Sequence, residues 1–319
     1  MGKENIGFEN NVSGENSFEA QFENKEELEL AGGKAEVVDI SPDTPKTEIP
    51  VFLAPSWGCT TEVYKPALKE LVDHDRRTIS LDHPRIGGDM KISEEEAVEK
   101  YPTEELRKAL NILGVMEQKG VDKVDVIAHS EGAINAAIAA MIHPEKFRNM
   151  VLFAPAGMIG EDTFTRLLKG FAGQSKRADT LKGTGDEEGR GWKDIEITET
   201  EKQVASDAAT GVLKYFAKNP LRSIRETMDI SKSQIHEMLR YLHEKGIGIV
   251  VMSGVDDPVF PMDKMQEIAK YDMLDGFLSL RGGHGEIGNH PELYMAAAEK
   301  MLTALEEKQK SRKEGEASA

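Results

Sequence analysis

Apolar and polar positions along the chain change period several times, and the changes mark out its elements. Over residues 28–40 they alternate, as Glu-Leu-Glu-Leu and then Ala-Glu-Val-Val-Asp-Ile around Ala31-Gly32-Gly33-Lys34, which predicts an antiparallel hairpin. Continuous apolar runs at 49–54, 77–81, 124–128, 150–153, 247–252 and 277–280 read as strands buried on both faces. Between them a helical period appears at 64–73, 103–119, 132–142, 262–269 and from 291 to about 308. Strands joined through helices predict an α/β fold: a mostly parallel central sheet with helices on both faces and the hairpin at its first edge.

The span 157–246 is too long for one βα connection and holds several helical segments, so it reads as an inserted helical cap or lid. Its middle, 182–191, is a cluster of glycines and charges expected to be mobile. No strand precedes that cluster, which argues against a phosphate-cradling loop. Residues 1–27 are rich in Asn and Glu, follow neither period and read as a disordered acidic tail; 306–319 read as a charged tail. The core is thereby assigned to 28–156 and 247–305, and the 319 residues suffice for a sizeable interior.

Composition narrows the class of function. A formal net charge of −17 repels phosphate backbones and anionic lipid headgroups, which disfavours nucleic-acid or membrane-surface partners and leaves a small-molecule substrate. The single cysteine, Cys59, excludes an internal disulfide framework and suits a reducing compartment. The first residues lack a basic start and an apolar run, and no segment reaches the ~18 apolar residues of a membrane span. The expectation is a cytoplasmic protein without a membrane span.

Candidate chemistry centres on Ala128-His129-Ser130-Glu131-Gly132, where an apolar strand breaks into an Ala/Ile-rich helix. Small residues two before and two after Ser130 suit a sharp strand-to-helix corner that lifts a nucleophilic hydroxyl clear of the backbone and brings Ala128 and Gly132 together. A serine hydroxyl needs an imidazole to take its proton and a carboxylate to orient that imidazole. Asp257, taken over Asp256, follows the strand 247–252, and His284 follows the strand 277–280 within Arg281-Gly282-Gly283-His284-Gly285-Glu286. None of His74, His83, His143, His236, His243 or His290 follows a strand in a Gly-rich loop, and His129 points away from the attack line. The backbone N–H groups of Glu131 and of Trp57, in Ala54-Pro55-Ser56-Trp57-Gly58, are the expected oxyanion donors, each worth about 3 kcal/mol in the transition state.

Together these segments resemble the α/β-hydrolase fold superfamily, of the type with a helical cap inserted after the sixth strand. Residues 56–61 look like its oxyanion turn, 82–88 like the loop after the next strand, 128–132 like its nucleophile elbow, 254–261 like the acid loop and 282–292 like the histidine loop. Pro55-Ser56 stands where the family usually has His-Gly, and Ala128 replaces the first elbow glycine. The resemblance implies a serine hydrolase of an ester-like bond in a small, largely apolar substrate, acting through an acyl-enzyme with no cofactor and no metal. The same apparatus serves thioesterases, lactonases, amidases and carbon–carbon bond hydrolases, and a non-catalytic ligand-binding member is the rival from another class.

Other residues have plainer readings. The Glu131 carboxylate suits a helix N-terminus, and Cys59 reads as a small turn residue. Ile235, Met238, Leu239 and Leu242 recur at helical spacing as a face packed on the core, which also serves as the roof of an apolar pocket. Arg222 and Arg225 are within reach of a substrate carboxylate but read first as solvated. No zinc-binding pattern such as His-Glu-x-x-His occurs.

Overall fold

The computed structural model describes residues 17–31, 33–84, 100–160, 162–163, 165–167, 169–170, 217–218, 220–269 and 273–317. Eight strands, β1 (Glu26–Leu30), β2 (Gly33–Ile40), β3 (Val51–Ala54), β4 (Thr78–Asp82), β5 (Val124–His129), β6 (Phe147–Phe153), β7 (Gly248–Gly254) and β8 (Gly276–Leu280), form one sheet in the order 1-2-4-3-5-6-7-8. The pairings β1–β2 and β2–β4 are antiparallel and all others parallel, as the alternation of strands and helices predicts. The hairpin does form the first edge, where Glu26, Glu27 and Glu29 of β1 are exposed while Leu28 and Leu30 turn inward.

Alternate residues of each central strand feed two separate cores, which is why the strands read as unbroken apolar runs. Phe52, Ala54, Val126, Ala128, Met150, Leu152, Ile249 and Val251 face one layer. That layer holds α3 (Thr103–Gln118), α4 (Glu131–Ile142) and α6 (His236–Glu244). Val51, Leu53, Ile127, Val151, Phe153, Val250 and Met252 face the other, with α2 (Lys65–Asp73) and α9 (Pro291–Ala317). The face predicted from Ile235, Met238, Leu239 and Leu242 packs on the first core; all but the partly covered Met238 are fully buried. A further helix, α5 (Pro220–Lys232), precedes it, and α7 (Met262–Ile268) and α8 (Glu286–Asn289) follow β7 and β8.

Both expected tails are shorter than composition suggests. Residues Phe18–Glu23 form α1, capped by Ser17, whose Oγ accepts the Ala20 N–H at 3.2 Å. Phe18 and Phe22, one turn apart with ring centroids 5.8 Å from each other, give this polar run an apolar face, and Phe22 is fully buried. At the other end the helix continues past Lys308 to Ala317. Its charges are used against the sheet: Glu306 accepts from Arg76 and from Arg148, each at 2.6 Å, and Gln309 Nε2 donates to the Arg148 carbonyl at 2.9 Å. The glycine and charge cluster 182–191 and all of residues 85–99 lie outside the described residues, as do 1–16. Among the described residues no helix is long and apolar enough to cross a membrane.

Candidate active site

Parallel strands β5, β7 and β8 deliver the three predicted residues to one edge of the sheet, each just beyond a carboxyl end. Ser130 occupies the corner between β5 and α4 with φ +54° and ψ −120°, a conformation that costs a non-glycine residue about 1–3 kcal/mol. Backbone hydrogen bonds hold it there: Ser130 N–H donates to the Phe153 carbonyl at 2.9 Å, and the Ser130 carbonyl accepts from Ala156 at 3.1 Å. Gly132 is required for a reason the elbow pattern did not give. A Cβ on it would lie 2.4 Å from the Ala54 carbonyl oxygen and 2.7 Å from that of Pro55, so helix α4 starts directly against the end of β3.

The acid and histidine loops cross with equal closeness. A Cβ on Gly254 would come within 2.4 Å of the Gly282 carbonyl, and Asp256 N–H donates to that carbonyl at 3.0 Å. This leaves Asp256 half-buried with its backbone engaged and turns Asp257 inward. Asp257 Oδ1 accepts the N–H groups of Val259 at 2.7 Å and Phe260 at 3.0 Å. Its Oδ2 lies 2.9 Å from His284 Nδ1, and His284 Nε2 lies 3.0 Å from Ser130 Oγ. The partners assign the proton to Nδ1, so Nε2 accepts from the serine hydroxyl. All three side chains are buried, and the Phe260 ring meets the His284 ring edge-on at 5.3 Å.

His129 stands beside the nucleophile, and both of its nitrogens are engaged. Tyr64 Oη accepts the Ser56 N–H at 2.9 Å and donates to His129 Nδ1 at 2.7 Å, leaving Nε2–H to donate to the His284 carbonyl at 2.8 Å. This relay ties the turn after β3 to the histidine loop. Burial first, and the neighbouring His284 second, push the His129 pKa down to about 3, so it is a neutral structural imidazole. Nothing in the sequence except the apolar surroundings of His129 and Tyr64 signalled it.

Trp57 and Glu131 also lie here. Glu131 opens α4, whose first-turn N–H groups have no partner within the helix. Its side chain is buried, with Oε1 at 2.5 Å from Lys108 Nζ. The Trp57 ring joins the first core, and its Nε1 donates to Glu226 Oε2 at 2.9 Å. Arg222 is engaged with Glu226 at 3.2 Å and Glu104 at 3.6 Å, whereas Arg225 is largely exposed. Burial and the facing Glu131 hold the Glu105 carboxyl well above the usual carboxylate range. Cys59 N–H closes a turn onto the Ser56 carbonyl at 3.1 Å. Among the described residues no cluster of His, Cys, Asp and Glu is arranged to hold a metal ion. An open hollow of about 550 Å³ lies at the opposite end of the sheet, bordered by Lys123, Arg148 and Lys245, away from this constellation.

The sequence matches the family described as alpha/beta hydrolase fold over residues 49–281. The chain belongs to this family. No protein of curated function matches it. Solved structures of the same fold include a thermophilic esterase from Thermogutta terrifontis, 16% identical, with 88% of this chain and 99% of that one covered at a TM-score of 0.58. An enol-lactonase from Burkholderia xenovorans is 14% identical over 87% of this chain and all of its own, also at 0.58. A meta-cleavage product hydrolase from Pseudomonas fluorescens is 14% identical over 88% and 97%, again at 0.58. At such identities these α/β-hydrolase structures share the fold.

Proposed function

We propose that the protein is a serine hydrolase that cleaves an ester-like bond in a small, largely apolar substrate through an acyl-enzyme. The observation that carries this reading is the row Asp257–His284–Ser130, with contacts of 2.9 and 3.0 Å between buried side chains at the carboxyl edge of the sheet. Ser130 Oγ attacks the carbonyl carbon while His284 Nε2 takes its proton, and Asp257 faces the imidazolium so formed. The oxyanion of the tetrahedral intermediate accepts hydrogen bonds from the Trp57 and Glu131 amides. Collapse breaks the bond to the alkoxide leaving group, which receives the proton from His284. Water then adds to the acyl-Ser130 ester, giving its proton to His284, and the second collapse releases the acid and restores the serine hydroxyl.

Residues 157–246 act in this reading as a cap over the site. They select among ester, thioester, lactone, amide and carbon–carbon substrates, a range consistent with the esterase, lactonase and meta-cleavage product hydrolase of the same fold. A fluorophosphonate probe tests the nucleophile and separates an enzyme from a ligand-binding relative. Labelling at Ser130, with loss of labelling and a fall in short-chain ester hydrolysis on the order of 10⁶-fold in Ser130→Ala, is expected. Unchanged hydrolysis by Ser130→Ala refutes the assignment.

A further inference from the structure

The two residues whose amides are assigned to the oxyanion hole sit on different segments, Trp57 in the turn after β3 and Glu131 at the start of α4. Their side chains are nevertheless joined through one continuous buried bridge. Trp57 Nε1 donates to Glu226 Oε2 at 2.9 Å, Glu226 Oε1 lies 3.5 Å from Lys108 Nζ, and Lys108 Nζ lies 2.5 Å from Glu131 Oε1. The Glu226 side chain is wholly buried and those of Lys108 and Glu131 nearly so. Arg222, one turn before Glu226 on α5, adds a contact of 3.2 Å to the same carboxylate.

Removing an ammonium and two carboxylates from water is expensive, and well-packed apolar residues of similar volume stabilise a fold as well or better. Stability alone is therefore a weak reason for this bridge. Geometry offers a stronger one. Oxyanion donors act only when aimed at the developing charge to within a few tenths of an ångström, and backbone donors can be aimed only by fixing the residues that carry them. The bridge fixes both at once, and its central carboxylate comes from α5, in the segment between β6 and β7.

We propose that Lys108 and Glu226 are positioning residues of the oxyanion hole, an ionic latch that sets the spacing of the Trp57 and Glu131 amides and makes it depend on the seating of α5. The inference rests on the serine-hydrolase reading. With the latch closed, the amides converge on one oxygen; with Glu226 neutralised or withdrawn, the Trp57 indole loses its carboxylate acceptor and Lys108 loses the carboxylate from α5. Substrate binding in the ground state does not use these donors fully, so the loss falls on turnover.

The test uses the full-length wild type, Glu226→Gln, Glu226→Ala and the double variant Lys108→Met with Glu226→Met. Hydrolysis of a short chromogenic ester, inhibition by an alkyl boronic acid that adds to the serine as a tetrahedral adduct, and thermal unfolding are measured on each. The expected result is a kcat lowered about tenfold in Glu226→Gln and about a hundredfold in Glu226→Ala and the double variant, with KM within about threefold of wild type. The boronic acid inhibition constant rises in the same proportion as kcat falls. The double variant removes one buried charge of each sign but leaves the Glu131 carboxylate without its ammonium, so its melting temperature falls, and kcat is compared at a temperature at which every variant is folded, so that lost turnover is not lost fold. A kcat within about twofold of wild type in folded Glu226→Gln or in the folded double variant overturns the proposal, as does a loss of kcat with unchanged boronic acid affinity. Wild-type protein that neither hydrolyses esters nor labels at Ser130 overturns the serine-hydrolase reading itself, and the latch with it.

Discussion

Acid should destabilise this protein through His129 in a measurable way. The unfolded chain has an ordinary histidine there, near 6.5, whereas the folded protein holds it at about 3. A depressed histidine stabilises the fold fully above the unfolded value and loses that contribution as pH falls from about 6.5 toward 3, because only the unfolded state takes up the proton. Integrating between those values gives a loss of about 2 kcal/mol from pH 7 to pH 5, approaching about 5 kcal/mol below pH 3. His83, also pushed down by burial, adds a loss of the same sign, so the wild-type slope alone does not isolate His129. The informative quantity is the difference from His129→Gln, which keeps a donor and an acceptor for the His284 carbonyl and Tyr64 but does not titrate. Urea unfolding of both proteins at pH 7, 6 and 5 should show wild type losing about 2 kcal/mol more than the variant across that range. A difference constant to within about 0.5 kcal/mol would refute the assignment of His129 as a buried neutral imidazole, since burial of that kind cannot leave stability indifferent to pH.

Two other perturbations follow from the geometry. Gly132→Ala places a methyl 2.4 Å from the Ala54 carbonyl, so α4 must back away from β3; an unfolding free energy lower by about 1–3 kcal/mol, with ester hydrolysis lost, is expected by denaturant titration and rate measurement. Phe22→Ala empties a fully buried site under α1 and should cost about 3–5 kcal/mol by the same titration, whereas an effect below about 0.5 kcal/mol would mean that the N-terminal helix contributes nothing to the fold.

The sheet was legible because its strands are apolar on both faces, and runs such as Val51–Ala54 and Gly248–Gly254 have no competing helical reading at that length. Ser130, Asp257 and His284 could be nominated because each follows such a run among small residues, and the fold brings the ends of parallel strands together. Composition misled where averages hide a pattern. In the polar segment before Lys25, Phe18 and Phe22 lie one turn apart and make a docking face, and beyond Leu305 the Glu306 carboxylate meets Arg76 and Arg148. The Lys108 bridge was illegible for a different reason. Glu104, Glu105 and Lys108 carry no pattern that sets them apart from other charges on a helix, and only the tertiary arrangement reveals that Glu131 and α5 enclose them.

The outer rim of the hairpin has a bearing on how these molecules treat one another in concentrated solution. An unpaired strand is an invitation to add another, and the ladder could in principle be extended copy by copy. Along β1 that invitation is countersigned by Glu26, Glu27 and Glu29, with Lys34 and Lys119 holding two of them in salt bridges at the surface. A second molecule laid alongside would have to strip water from these ions, which lets the described sheet end on β1 without fibre growth.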